Sequence, residues 1–519
     1  MSAEASKHAL HLSTAEAALS ARLQADVRVA REGRPLAPVV VLVRSNLVAL
    51  QLSRRLAREA GGHANVRFPT FVDLARRLAG PGDDVPAGGE QVVFGSLAAG
   101  LPLESFFGPV KDKAGFAETL AAAAEDARQA GLGRWHADLN LGDRLILFGE
   151  LFEGYRGELA KGRRVYRDEY DVFSAATARA AAFAGTFGAE ELFVFGFYDF
   201  NELQRRLLEA LSRDVRLTLY VPCGEGREFR FARATRDWLD GLGFQTDVAA
   251  AVEAATGVEA ARYWFGGRDG PASAEGVKIL SAPDAEAEAR EVAREALRLS
   301  REHGVRLAEM AVLYRGDETL AVLTEVFDRV LAGDDGRGKY YVYGGRPLTA
   351  TRAGEGARRL LELAWHAPAS PHPLGRREVV DFVETAPLKS EAAAGEGAQL
   401  EPALWDDISA AAGVVYGRAE WAERLARYAA ACERMPAEKR RHDAADAQAL
   451  VTFTEKLFTD LERFPAEGSW RDFAALLAEL VERYFGAGDE KEVVLALARG
   501  MAAYDDLVAA PVSLKTFVE

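Results

Sequence analysis

Short apolar runs alternate with amphipathic helical segments in two regions of the chain. In the first region, Val39–Val43 is continuously apolar and is bounded by turn residues, a pattern typical of a strand buried on both faces of a parallel sheet. A helical pattern follows as far as Glu59, then a short strand at Val66–Phe68 and a helix that Thr70 can cap. Strand, helix and strand patterns return over residues 191–221. This order predicts an α/β layer.

The stretches around these strands are predicted to be helical or irregular. A helical pattern precedes the first strand, and we expect the residues before that helix, including His8 and His11, to form a disordered tail. Residues 91–188 are alanine-rich with helical periodicity and predict a helical insertion. The first domain therefore comprises residues 1–90 and 189–274.

A second region repeats the alternation. Apolar strand patterns at Val277–Ser281, Met310–Arg315 and Tyr340–Tyr343 are separated by two helical patterns. They predict the start of a second α/β domain over residues 275–367. The helix-rich remainder, residues 368–519, predicts a further helical insertion.

The last residues have the pattern of a helix start. Ser513 is a predicted N-cap, and the sequence stops about one helical turn after it. So short a helix is unstable alone. We therefore expect the sequence to be a fragment of a longer protein that is truncated within this element.

Composition narrows the classes of protein. With two cysteines, Cys223 and Cys432, the chain holds neither a disulfide framework nor a four-cysteine cluster, which favours a reducing, cytoplasmic compartment. No apolar run is long enough for a transmembrane helix, so we expect no membrane contact. The net charge of −15 lowers the expectation of a compact sequence-independent DNA binder, but it says little about the charge of one groove.

The sequence lacks the motifs of several enzyme classes. It has no glycine-rich phosphate loop, and its Gly338-Lys339 pair precedes a strand pattern instead of a helix. No carboxylate cluster with a lysine has the spacing of a two-metal nuclease. Asp199 follows a predicted strand and suits either Mg²⁺ contact or, more favourably, a turn or helix cap. We predict no catalytic residue, no metal site and no cofactor in this segment.

Three segments carry a resemblance to a known family. They are Val39–Ser45 with its helix and Asn65–Ala75, then Phe193–Phe200 with the helix after it, and Ile279–Ala293 with the strand patterns at 310–315 and 341–348. In this order and at this spacing they resemble the AddB/RexB family, a subunit of the bacterial helicase–nucleases that process double-strand DNA ends and carry a PD-(D/E)XK nuclease domain. More broadly they resemble UvrD-like superfamily 1 helicases. The resemblance covers roughly residues 37–365.

The resemblance implies an α/β fold with two RecA-like (P-loop-NTPase-like) parallel-sheet domains, each with a helical insertion. It implies DNA and an AddA-like motor subunit as partners, the latter in a heterodimer. The nuclease site with its Mg²⁺, and an iron–sulfur cluster, would lie beyond residue 519. If Val39–Val43 is the strand before the phosphate loop, the loop position reads Arg44-Ser45-Asn46-Leu47, without glycine or lysine. The motor is therefore expected to be inactive.

Candidate DNA contacts lie at the end of the first predicted strand. Arg44, Ser45 and Asn46 follow that strand directly, at the edge where open α/β sheets bind ligands. Thr70 and Phe71 follow the second strand and would line the same edge. We predict DNA contact here, and the alternative is an ordinary exposed turn.

A second set of candidates belongs to the predicted insertion. Its densest basic run interleaves cations with aromatic residues: Lys161, Arg163, Arg164, Tyr166, Arg167 and Tyr170. Backbone phosphates attract such clusters, and aromatic rings can stack on bases. The competing interpretation is an exposed loop and helix start, and both remain open.

Arg315 is a candidate of a different kind. By the resemblance it matches an arginine that reaches the γ-phosphate of ATP in active relatives, where a guanidinium fork suits an oxyanion. Without a phosphate loop this nucleotide-binding role would be vestigial. The alternative is an arginine paired with Asp317 or Glu318.

Three functional hypotheses follow from these observations. The first is a helicase-like subunit with a degenerate motor that binds or guides DNA and depends on a partner motor. The second is an α/β scaffold or adaptor that contacts proteins and no DNA, which suits the negative net charge. The third, an ATPase with an unconventional loop, is the least favoured because no residue set that grips a triphosphate is present.

Overall fold

The structure is a computed structural model. It describes residues 8–59, 64–113, 115–135, 142–161, 164–248, 276–331, 340–369, 373–389, 401–436 and 441–518. The chain divides into two compact units, Met1–Leu280 and Ser281–Glu519. Each unit is described by itself.

Unit 1 is built on a parallel sheet. Its strands are β1 (Ala9–Ser13), β2 (Val39–Val43), β3 (Val66–Arg67), β4 (Asp83–Asp84), β5 (Tyr166–Arg167), β6 (Glu191–Phe195), β7 (Arg216–Pro222) and β8 (Gln245–Val248). Six of them form one sheet in the order β3-β2-β6-β7-β1-β8, and every neighbouring pair in it is parallel. The predicted α/β layer is therefore confirmed.

Helices cover both faces of this sheet. They are α1 (Glu16–Ala30), α2 (Asn46–Glu59), α3 (Phe71–Ala79), α4 (Gly89–Ala99), α5 (Phe116–Gln129), α6 (Asp143–Lys161), α7 (Glu169–Ala178), α8 (Phe183–Phe187), α9 (Glu202–Asp214) and α10 (Arg230–Gly241). Helices α1 and α2 pack on one face, together with Val41. Helices α3 and α7 to α10 pack on the other face, together with Leu42. Because successive strand residues point to opposite faces, a strand covered on both sides is apolar throughout, as β2 is.

The sheet begins earlier in the chain than the sequence indicated. Residues before the first helix were expected to form a disordered tail, whereas they form β1, which lies between β7 and β8. His11 is buried within this strand. The alternation of Leu10, His11 and Leu12 hid the strand, because the polar imidazole interrupts the apolar pattern and only its carboxylate neighbours in the fold satisfy it.

A helical insertion interrupts the α/β part of unit 1. It lies between the two short strands β4 and β5, which we call the neck. Helices α4, α5 and α6 lie between β4 and β5, and these two short strands pair with each other in parallel. Arg167 of β5 donates from Nη2 to Asp84 of β4 over 2.7 Å and from Nη1 to the Gly80 carbonyl over 3.2 Å. Helices α7 and α8, which follow the neck, contribute Phe173 and Phe183 to the core beneath the sheet.

Unit 2 is mainly helical. Its helices are α11 (Ala285–His303), α12 (Asp317–Val330), α13 (Arg352–Ala369), α14 (Arg376–Thr385), α15 (Pro402–Ala411), α16 (Arg418–Arg434), α17 (Ala444–Leu461), α18 (Trp470–Tyr484), α19 (Asp489–Met501) and α20 (Leu514–Val518). Two short strands, β9 (Glu467–Gly468) and β10 (Val512–Ser513), pair antiparallel. Ser513 caps α20 as predicted, because its Oγ accepts a bond from the Thr516 N–H over 3.1 Å.

The strands predicted for the second α/β layer do not form. The described parts of Val277–Ser281, Met310–Arg315 and Tyr340–Tyr343 have no strand pairing, and the side chain of Leu313 is 95% exposed. The helices predicted between them do form, and α11 and α12 pack together through Ala293 and Val326. A strand needs a neighbour to satisfy its backbone N–H and C=O groups, and none of the described residues supplies one here.

No helix in the described part of the chain is both long enough and apolar enough to cross a bilayer. The longest helices carry charged residues along their length; α11, for example, is lined by ion pairs such as Arg298–Glu295 and Arg294–Glu291.

Candidate nucleic-acid interface

The carboxyl ends of β2 and β6 lie side by side at one edge of the unit 1 sheet. Val43 is in register with Phe195, so the residues that follow the two strands emerge together. Arg44 follows β2, and the turn from Gly196 to Asp199 follows β6. In open parallel sheets this is the edge at which ligands bind.

At this edge an arginine lies over one aromatic ring, and a second aromatic ring contacts the first. The guanidinium carbon of Arg44 lies 4.2 Å from the ring centroid of Tyr198, within the range of a cation–π contact. The ring of Phe231 meets Tyr198 edge-on at 4.7 Å between centroids and is 49% exposed. We call Arg44, Tyr198 and Phe231 the edge cluster.

Arg44 is exposed, and its guanidinium makes no hydrogen bond or ion pair with any other residue that the structure describes. Its donors therefore remain available to a ligand, while the Tyr198 ring holds its position. A guanidinium presents its donors in a fork that fits phosphate. The arrangement combines a phosphate-binding cation with an exposed aromatic surface.

The local sequence after β6 explains why Tyr198 faces outward. Gly196 has φ +79°, a left-handed conformation that glycine adopts without strain, and its N–H donates to the Tyr220 carbonyl over 3.1 Å. The turn directs Phe197 into the core, where it meets Phe71 edge-on at 5.0 Å. Tyr198, the next residue, is left half-buried at the surface.

Ser45, Asn46 and Thr70 also lie at this edge, as the sequence predicted. Their side chains differ in whether they are already hydrogen-bonded within the protein. Ser45 accepts a bond from the Val48 N–H over 3.4 Å at the start of α2, and Asn46 is exposed. Thr70 lies at the same edge, because the Val43 N–H donates to the carbonyl of Pro69, the residue before it.

Thr70 is occupied in capping α3. Its Oγ1 accepts from the Asp73 N–H over 3.3 Å and donates to the Asp73 carboxylate over 2.7 Å. Phe71 is buried. Asp199 is exposed, and Asn201 is the residue that caps α9, since its side chain accepts from the Gln204 N–H.

The basic run of the predicted insertion belongs to the neck. Arg163 lies outside the described residues, and Arg164 is exposed. Tyr166 is buried, and the donors of Arg167 face Asp84 and the Gly80 carbonyl. The structure therefore places Tyr166 and Arg167 on β5, one of the two short strands between which the insertion lies.

Sequence reasoning missed the segment that completes the edge cluster. Residues 227–233 read Arg-Glu-Phe-Arg-Phe-Ala-Arg, and within them Arg227, Arg230 and Phe231 are exposed. Cations interleaved with aromatic rings are the pattern that indicates nucleic-acid binding. That signal was present, but the loop-rich surroundings of the segment concealed its position beside β2 and β6.

The turn after the first strand is not the one that the sequence indicated. The first strand of the sheet is β1 and its helix is α1, so this turn is Thr14-Ala15, whereas Arg44 to Leu47 follow β2. Thr14-Ala15 also has no glycine or lysine. Gly224 approaches so closely that a Cβ atom there would lie 2.6 Å from Thr14 Cγ2 and 3.0 Å from Phe229 Cδ2. Protein side chains therefore occupy the space outside β1.

The other candidate groups for catalysis, nucleotide binding or metal binding offer little support for a site. Burial raises the pKa of the Cys223 thiol, which follows β7, so the thiol stays protonated at neutral pH. Arg315, in unit 2, is exposed after an extended segment without strand pairing. No group of three or more His, Cys, Asp or Glu side chains that could hold a metal is found among the described residues.

Comparison with protein-family models gives no match, and comparison with curated proteins gives none either. The family resemblance therefore stands on the segments quoted from the sequence.

Proposed function

We propose that this chain is the N-terminal, helicase-like part of an AddB-type subunit of a DNA double-strand-break repair helicase–nuclease, and that it binds or guides DNA with an inactive motor. The observation that carries the proposal is the edge cluster. It presents a free guanidinium and an exposed phenyl ring at the ligand-binding edge of a parallel sheet.

The chemistry of the edge cluster suits a single strand of DNA. Arg44 would contact a backbone phosphate, and Arg227 and Arg230 lie in the same segment as Phe231. The face of Phe231 would stack on a base, an interaction worth about 1–3 kcal/mol and tolerant of sequence. A duplex offers no exposed base faces along its length, so the exposed ring favours unpaired nucleotides.

The loop after β1 supports the inactive motor. A triphosphate is gripped by backbone N–H groups of a glycine-rich turn and by a lysine, and Thr14-Ala15 supplies neither. The Ala15 N–H donates to Ser13 Oγ over 3.1 Å. In this proposal an AddA-like motor subunit hydrolyses ATP, and this subunit contributes DNA contacts.

A second RecA-like domain is part of the same proposal. The helices α11 and α12 pack together through Ala293 and Val326. Ile279, Leu313 and Tyr341 lie in the segments predicted as strands, and their side chains are 84%, 95% and 81% exposed. Apolar β-type segments so exposed are what a parallel sheet covered on both faces would bury.

The test is the affinity of Phe231→Ala for a fluorescently labelled single strand, measured by anisotropy at low salt. We expect the dissociation constant to rise about 5- to 150-fold, which corresponds to the loss of one stacked base. The matched control is Phe106→Ala, another exposed phenylalanine, which is 57% exposed on the insertion. Equal effects of the two substitutions would contradict the proposed site.

The same titration separates the proposal from its main alternative. If the unsubstituted protein has no affinity for single-stranded or forked DNA at low salt, the DNA-binding function is wrong. The scaffold or adaptor function, which the net charge of −15 suits, would then replace it. Binding that weakens steeply as salt rises is expected for phosphate contacts.

A further inference from the structure

The charge of this acidic protein is unevenly distributed along the chain. Residues 27–58 contain seven arginines and one acidic residue, Glu32, which gives a net charge of +6. The whole chain has a net charge of −15. A segment of opposite sign to the rest of the molecule concentrates its potential on one surface.

These arginines lie on α1 and α2 or in the turns next to these helices. Helices α1 and α2 cover one face of the unit 1 sheet, and both run from the carboxyl edge of the sheet towards the opposite edge, because they follow parallel strands. Four exposed arginines have side chains that make no hydrogen bond or ion pair with any other residue that the structure describes: Arg28, Arg34, Arg54 and Arg58. We call these four the arginine face.

Arg31 and Arg55, which belong to the same stretch of chain, are already engaged. Arg31 donates to the Ala64 carbonyl over 2.6 Å, and Arg55 lies 3.7 Å from the Glu16 carboxylate. The helix dipole favours a cation in the last turn of a helix, which accounts for Arg28 and Arg58. It does not account for Arg34, which lies beyond α1, or for Arg54, a full turn before the end of α2.

The arginine face is joined to the edge cluster by a single helix. Helix α2 begins at Asn46, directly after Arg44 and Ser45, and carries Arg54 and Arg58 at its other end. Its 14 residues span about 21 Å, at about 1.5 Å per residue. That length corresponds to about six base pairs of B-form DNA, at roughly 3.4 Å each.

We infer that the arginine face binds the phosphate backbone of duplex DNA. This inference rests on the proposed function and extends it: the single strand lies at the edge cluster, and the duplex from which it emerges lies along α1 and α2. The four side chains are all arginine, whose fork fits phosphate oxygens. Glu32 is the one carboxylate between Val27 and Arg58.

The test compares two DNA substrates with one quadruple variant, Arg28→Gln/Arg34→Gln/Arg54→Gln/Arg58→Gln. Glutamine keeps the length and helix propensity of the side chain, and thermal unfolding verifies the fold. The matched control neutralises four exposed arginines elsewhere: Arg144, Arg301, Arg377 and Arg427. Both variants change the net charge by the same amount, so a non-specific effect of charge would appear in both.

We expect the quadruple variant to bind a blunt duplex at least tenfold more weakly than the control variant. The slope of log affinity against log salt concentration should decrease by about 0.9 for each lost phosphate contact. Affinity for a single strand should match that of the control, because the edge cluster is intact.

Duplex affinity and salt slope equal to those of the control would overturn the inference, and an acidic protein surface would then be the better occupant for a face that also exposes Val29 and Leu36. An equal loss for single strand and duplex would also overturn it. If the unsubstituted protein binds a single strand but no duplex, this inference is wrong and the proposed function stands. If it binds neither, the proposed function itself is wrong.

Discussion

Two segments of unit 1 carry the same kind of sequence and use it differently. Residues 161–170 and residues 227–233 both interleave cations with aromatic residues. At the neck, Tyr166 is buried and Arg167 is bound to Asp84. In residues 227–233, Arg227, Arg230 and Phe231 are exposed. The same basic-aromatic pattern is therefore used for packing in one segment and is left available to a ligand in the other.

The largest expected effect is a difference in the free energy of unfolding between alanine substitutions of Tyr166 and Phe231. We expect Tyr166→Ala to lower the stability of unit 1 by about 3–5 kcal/mol, because it empties a packed site. Phe231→Ala should change stability by less than about 0.5 kcal/mol, since its ring is half exposed. Thermal and denaturant unfolding of the two variants measure this difference. Equal stabilities would remove the distinction between neck and edge.

Substitution of Arg167 should affect stability, whereas substitution of Arg44 should affect DNA binding. Arg167→Gln removes charged hydrogen bonds to Asp84 and should destabilise unit 1 by about 1–2 kcal/mol, with Arg76, 3.0 Å from Asp84, limiting the loss. Its effect on DNA affinity decides whether Arg167 also contacts DNA, as the sequence predicts. A stable variant with weakened DNA binding would favour that role over the structural one.

Arg44→Gln is expected to act on binding alone. The affinity for single-stranded DNA should fall by about 0.5–2 kcal/mol, with the salt slope reduced by about 0.7, the value for one phosphate contact on a single strand. Unfolding should be unchanged, because the Arg44 side chain is exposed. Anisotropy titrations at several salt concentrations measure both quantities. A loss of affinity with an unchanged slope would mean that Arg44 positions Tyr198 and does not touch phosphate.

The smallest expected effect is a dependence of stability on pH that arises from His11 in β1. Burial, and then the Arg22 guanidinium, lower the pKa of His11 from its ordinary 6.5, against the opposing pull of Asp26 and Asp247. The unfolded chain therefore binds the proton more tightly. The contribution of the buried neutral His11 to the free energy of unfolding is therefore fully present above about pH 6.5. It is lost as the pH falls through the pKa of His11 in the folded state.

The measurement is the unfolding midpoint as a function of pH, with His11→Gln as the control. The substitution should flatten the profile below about pH 6.5. DNA binding through Arg44 should not share this dependence, since a guanidinium stays charged throughout. A profile that is identical in the two proteins would show that His11 does not set it.

Elements that depend on a short stretch of sequence were predicted, whereas an element that depends on distant partners was missed. The strand β2 and most of β6 were recognisable because a strand buried on both faces of a sheet is apolar along its length, and β7 was recognisable from a pattern that alternates into an apolar run. The helix α3 was recognisable from its cap, Thr70. In contrast, β1 contains His11, whose burial depends on Asp26 and Asp247 from α1 and β8. No local pattern reveals a polar residue that is satisfied by distant partners.

The second region shows the opposite failure. Met310–Arg315 has an apolar pattern like that of Val39–Val43, yet it forms no strand in the structure. Val40 and Leu42 are fully buried, while Leu313 is 95% exposed. The difference is that β2 pairs with β3 and β6 on its two sides. Apolar composition makes a segment suitable for a sheet, but hydrogen-bonding neighbours are required to form one.

The sequence by itself determined the α/β class of unit 1, four of the six strands of its sheet, most of its helices, and the lack of a glycine-rich phosphate-loop motif, because these depend on periodicity, caps and residue type within short stretches. The tertiary structure alone decided that β1 is the first strand, and that Arg44, Tyr198 and Phe231 meet although they lie on three separate segments. It also decided which cations remain free and which are bound to carboxylates. Contacts between distant segments are fixed by strand order and register, which no single stretch of sequence contains.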